Sequence, residues 1–140
     1  MPSVDGFGIY IMNFWDDDLT ELWHAKHVIG SQTVKEFLLK QRINTFENGF
    51  IEIVVHSVKG DTNLVLESHK KIQLHTKDEE IFNAFSYKIM DLGYKQTRDF
   101  YSLEFNFHHF HYRLADSLTR TEFKTMLLNN EFEQIRKWEE

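Results

Sequence analysis

The sequence predicts an α+β fold, an antiparallel sheet with helices packed on one face. Three observations carry that expectation. Two β-rich runs flank Lys59-Gly60-Asp61-Thr62, three Thr-x-x-Glu spacings mark helix starts, and a long alternating stretch runs from Asp99 to Arg113.

In chain order, Phe7–Phe14 (FGIYIMNF) is nearly continuously apolar, the pattern of a strand buried on both faces. Asp16-Asp17-Asp18 supplies helix-start chemistry, because carboxylates there accept free N–H groups and complement the helix dipole. A helix is expected to follow, with Leu19, Leu22, Trp23 and Lys26 on one face as far as Gly30. A strand over Glu21–Ile29 is the alternative reading. Thr33-Val34-Lys35-Glu36 has the capping-box spacing, and Val34, Phe37, Leu38 and Gln41 form a helical stripe that Glu47-Asn48-Gly49 stops.

Phe50–Val58 and Asn63–His75 are expected to pair as a hairpin. With Gly60-Asp61 as a two-residue loop, Ser57 faces Leu64, Val55 faces Leu66 and Ile53 faces Ser68. On the other side His56, Val54 and Glu52 oppose Val65, Glu67 and His69. Thr76-Lys77-Asp78-Glu79 then opens a helix carrying Ile81, Phe82, Phe85, Ile89 and Leu92 on one side, closed by Gly93. Over Asp99–Arg113, alternation puts Tyr101, Leu103, Phe105 and Phe107 on one face of a strand. Thr119-Arg120-Thr121-Glu122 opens a last helix reaching Trp138, with Phe123, Met126, Leu127, Phe132 and Ile135 inward and a weak point at Asn129-Asn130. The order β-α-β-β-α-β plus a C-terminal helix matches the ferredoxin-like arrangement, which by itself licenses no activity.

Residues 1–140 read as a single domain, since no linker, repeat or low-complexity tract interrupts them. A composition of 41% hydrophobic, 15% aromatic and 27% charged residues is that of a globular chain. Thirteen Phe give it core material in excess, and any left outside would form a contact surface. The absence of Cys excludes disulfides, thiolate metal ligands and a cysteine nucleophile. The net charge of −6, with no stripe of Lys and Arg, argues against direct nucleic-acid binding. No apolar run approaches the roughly 20 residues that span a bilayer. The N-terminal residues lack a basic region followed by an apolar one, so a cytoplasmic location is the default expectation.

The chemistry-bearing residues are few. On a strand, His109 and His111 share a face, and two imidazoles at that spacing bind a divalent metal such as zinc when other elements complete the set. His24 and His27 are the candidate further donors, with Glu104 as a base. Against this, spacing alone is easily met by chance among eight His, and an aromatic row ending in solvated imidazoles is the simpler account. Asp16–Asp18 read more simply as a cap than as Mg²⁺ ligands, since no phosphate cradle accompanies them. The expected Glu52–His69 pair, with Glu67, His56 and Lys71 near it, is a surface ion pair before it is an acid–base site. No Ser stands in a Gly-x-Ser-x-Gly elbow.

The aromatic excess remains. Trp15, Trp23, Phe110, Tyr112, Phe132 and Trp138 are the candidate interface residues, because Trp and Tyr concentrate at binding hot spots. The first functional expectation is therefore an acidic, cofactor-free, non-enzymatic binding module. It acts through a protein–protein interface, as an inhibitor, an immunity-type or regulatory protein, or a homo-oligomer. The second is a metal- or small-ligand-binding protein, including a hydrolase, centred on His109 and His111.

Overall fold

A computed structural model describes residues 6–16, 19–59, 61–68, 71–96 and 112–139. They form a six-stranded antiparallel sheet with three helices. The strands are β1 (Phe7–Asp16), β2 (Leu19–Ala25), β3 (Ile51–Ser57), β4 (Thr62–Leu66), β5 (Ile72–His75) and β6 (Phe132–Glu139). The helices are α1 (Ser31–Lys40), α2 (Glu79–Asp91) and α3 (Arg120–Asn129). The order across the sheet is β5-β4-β3-β1-β2-β6.

The ferredoxin-like order is overturned at both ends of the chain. Leu19–Ala25 is not a helix but a strand that pairs back on β1, with Ile11 opposite Trp23 and Asn13 opposite Glu21. Apolar residues occupy both parities of this segment, so its period did not separate helix from strand. Pairing decides, because alternation sends Glu21 and Trp23 inward and leaves Leu22 and His24 outside. At the other end, the expected long helix stops at Asn129. Asn130 caps it, its side-chain amide donating to the Met126 carbonyl at 2.8 Å, and Glu131 turns the chain at φ 61°. Phe132–Glu139 then joins β2 as an edge strand. Its Glu, Gln, Arg and Lys are good helix formers, and strand pairing overrides that propensity.

The connection from β2 to β3 is a crossover. β2 and β3 flank β1 and both run antiparallel to it, so α1 links two parallel strands across β1. The core lies on that side. Ile9, Ile11, Trp23, Ile51, Ile53 and Phe132 of the sheet pack with Val34 of α1 and with Phe123, Met126 and Leu127 of α3, all buried. On the same side, Leu74 of β5 lines a groove with Phe82, Phe85 and Ile89 of α2.

Local chemistry explains the helix ends. α1 begins at Ser31 after Gly30, so the Thr33–Glu36 spacing falls inside its first turn rather than at its cap. In α2 the cap is Asp78, whose carboxylate accepts from the Glu80 and Ile81 amides at 2.9 and 3.3 Å. Thr76 stands outside the helix, accepting from the Asp78 amide and meeting Thr62 at 2.8 Å. Gly93, at φ 94°, closes α2 with amide bonds from Gly93 to Met90 and from Tyr94 to Ile89, the Schellman pattern. In α3 the Thr119 hydroxyl accepts from the Glu122 amide and donates to its carboxylate at 2.9 Å.

The β3–β4 hairpin forms with a different register. Ile53 faces Leu66, Val54 faces Val65, Val55 faces Leu64, and Ser57 faces Thr62. Four residues, 58–61, lie between the strands instead of two, with Asp61 at φ 46°. A slip of two residues keeps every side chain on its expected face. The run expected to reach His75 as one strand divides at Glu67–Lys71 into β4 and β5. The expected strand over Asp99–Arg113 lies, apart from Tyr112 and Arg113, outside the described residues.

Candidate functional site

The face of the sheet turned away from the core is built by the alternate residues of the same strands. One row crosses all six strands: Glu133, His24, Tyr10, Val54, Val65 and Gln73 are successive cross-strand neighbours. A second row runs Arg136, Leu22, Met12 and Glu52, and a third runs Gly8, His56, Asn63 and His75. The centre is apolar, made by Tyr10, Met12, Leu22, Val54 and Val65, each half-buried. Among the described residues, none of these five belongs to the core cluster.

The periphery is polar and internally bonded. His24 Nε2 bonds Glu133, and the Tyr10 ring lies 6.0 Å from the His24 ring. That hydrogen bond holds the Glu133 carboxyl below the ordinary carboxylate range, against an opposing desolvation and with the charges of His24 and Lys26 adding to it. His56 Nδ1 meets Asn63 Oδ1 at 2.7 Å, and His75 Nε2 meets Gln73 Oε1 at 3.1 Å. Glu67 bonds Gln73 and lies 3.0 Å from Lys71 Nζ.

The expected site residues are dispersed. His24 and His27 each meet a different carboxylate, Glu133 on β6 and Glu131 at 3.6 Å. Among the described residues, no group of three or more His, Asp or Glu side chains could hold a metal ion. His109, His111, Glu104 and Phe110 lie outside the described residues, as do the side chains of Trp15 and Trp138 and the histidine of the Glu52–His69 pair. Trp23 and Phe132 are 1% and 3% exposed and serve the core rather than a surface. Tyr112 is 72% exposed, and its backbone carbonyl accepts from the Gly49 amide at 2.9 Å.

Two features escaped sequence reasoning. The outer face reaches its full width only with β2 and β6 as strands, which supply Leu22, His24, Glu133 and Arg136 to two of its three rows. The other is a buried polar group on the inner side. Glu21, 4% exposed, accepts from Arg120 Nη2 at 2.8 Å and from Trp23 Nε1 at 3.3 Å, beside the buried Asn13. Arg120 is the first residue of α3. This arrangement joins β2 to α3.

Among the described residues no helix is long and apolar enough to cross a membrane. No family model, no curated protein and no solved structure matches this chain.

Proposed function

We propose that the protein is a small binding module with no catalytic activity of its own, engaging a protein partner or a second copy through the outer face of its sheet. The observation that supports this reading is the apolar centre Tyr10, Met12, Leu22, Val54 and Val65, set within His, Glu, Asn and Gln side chains and left out of the core. The edges suit a partner less well. β5 has only four residues. On β6, Trp23 pairs with Gln134 and Leu22 with Arg136, so Ile135 sits in a bulge, and Glu133, Arg136 and Lys137 charge the strand. Short, bulged and charged edges resist strand addition. A face is then the surface available for recognition.

The test compares the protein with Val54→Lys and with Leu128→Lys, a control on exposed α3 surface. Light scattering after size exclusion reports self-association, and a photo-crosslinker in place of Tyr10 reports contact with a partner. Loss of the dimer or crosslink in Val54→Lys, with retention in Leu128→Lys, supports the reading. Equal behaviour of the two variants in both measurements would sink it.

A further inference from the structure

A cavity of about 320 Å³ opens between α1 and the corner where β2 meets the α3–β6 turn. That volume is at the lower end of small-molecule sites. Its floor is apolar, from Ile9, Ile29, Phe37 and Phe132. The Phe37 and Phe132 rings lie 5.4 Å apart at 31°, making one tilted aromatic wall. The mouth is charged and exposed, with Glu36 and Lys40 on α1 facing His27 and Glu131. Gln32 Nε2 donates to Glu36 at 2.9 Å, and His27 Nε2 lies 3.6 Å from Glu131.

Glu131 is the informative member. It directly follows the C-cap of α3 at φ 61°, a left-handed conformation that glycine adopts at no steric cost and other residues resist. Its side chain is 71% exposed, and its backbone is held by the Leu128 carbonyl, which accepts from its amide, and by the Lys26 amide, which donates to its carbonyl at 2.8 Å.

The geometry points to a site for a small organic cation with an apolar body, of the arylalkylamine class. The apolar part rests on the floor, against the half-buried Ile29 and Phe37. The ammonium meets Glu36 and Glu131. Two carboxylates outweigh the single ammonium of Lys40, and the chain's net charge of −6 adds attraction at longer range. His27, when protonated, competes with the ligand for Glu131. The site is independent of the outer sheet face, and neither reading depends on the other.

Titrations with 2-phenylethylamine, neutral 2-phenylethanol and anionic phenylacetate, followed by amide NMR shifts, test it. The amine is expected to shift Ile29, Phe37 and Phe132 saturably and to bind about tenfold more tightly than the alcohol, the worth of one charge-assisted hydrogen bond. Glu131→Gly separates a ligand group from a merely structural one. It relieves the backbone and raises Tm, while amine affinity falls about tenfold because the ammonium then has one carboxylate instead of two. An amine that binds no better than the alcohol or the acid overturns the proposal. So does the absence of saturable shifts up to about 10 mM, weaker than a specific site of this size would give. A Glu131→Gly protein with unchanged amine affinity or a lower Tm overturns it equally.

Discussion

Glu21 on β2 and Arg120 at the start of α3 are 99 residues apart in sequence and 2.8 Å apart in space. Their pairing fixes how α3 lies on the inner face, because Glu21 is almost fully buried and the Arg120 side chain about one-third exposed. Removing the cation leaves a buried carboxylate with the Trp23 indole as a weaker donor. Arg120→Met is expected to cost roughly 3 kcal/mol at neutral pH, the low end for breaking a buried pair. Urea unfolding measures it. The double variant Glu21→Gln with Arg120→Met should recover part of that stability, and a double variant no better than Arg120→Met would refute the burial argument.

Two glycines separate conformational strain from steric conflict. A Cβ on Gly93 meets nothing within 4 Å, but its φ of 94° is left-handed, so Gly93→Ala costs about 1 kcal/mol through the backbone alone. A Cβ on Gly49 would lie 2.6 Å from the Tyr112 carbonyl oxygen and 3.0 Å from its nitrogen. Backbone atoms cannot swing aside as a side chain can, so Gly49→Ala should cost about 2–3 kcal/mol and part residues 49 and 112. Thermal unfolding of the two variants side by side checks the ranking. Equal destabilisation of the two would contradict it.

The His24–Glu133 bond makes stability depend on pH in a definite direction. The folded Glu133 carboxyl is held below its ordinary range chiefly by the His24 hydrogen bond. A depressed carboxylate contributes stability that is present above its unfolded pKa and lost as pH falls through the folded one. The stability difference between the native protein and Glu133→Gln should therefore shrink progressively as pH falls below about 4, around the ordinary glutamate pKa. Denaturant midpoints across that range provide the measurement, and a difference that grows on acidification would reverse the sign.

Trp23 tests the division between core and surface. It is buried between strands, with Lys124 Nζ 5.9 Å from its ring centre. Trp23→Ala should cost about 3–5 kcal/mol, as large core truncations do. A Trp23→Ala protein of undiminished stability would place that side chain outside the core after all.

Much of the inner face was legible in the residues. The strand over Phe7–Phe14, the faces of the β3–β4 hairpin and the cap at Thr119 follow from period and from short-range hydrogen-bonding chemistry, whereas the α2 cap moved from the expected Thr76 to Asp78. The outer face was not, because β2 and β6 are decided by each other. Leu22 and Trp23 fit a helix stripe as well as a strand, and the run Glu133–Lys137 favours a helix until β2 offers an edge. Glu131, at the cavity mouth, was equally hidden. Only the backbone angle distinguishes it from the other acidic residues near the end of the chain.

The pairing of β2 with β6 also bears on synthesis. His24 and Glu133 are 109 residues apart, so a growing chain completes the β1–β2 hairpin long before β6 exists. Throughout that interval the outer edge of β2 has its backbone groups unsatisfied and Trp23 incompletely covered. Translation pauses between the codons of β2 and β6 would prolong this exposure, and chaperone dependence should concentrate there. Codon changes that slow synthesis between β2 and β6 are then expected to lower soluble yield more than equal changes within β1.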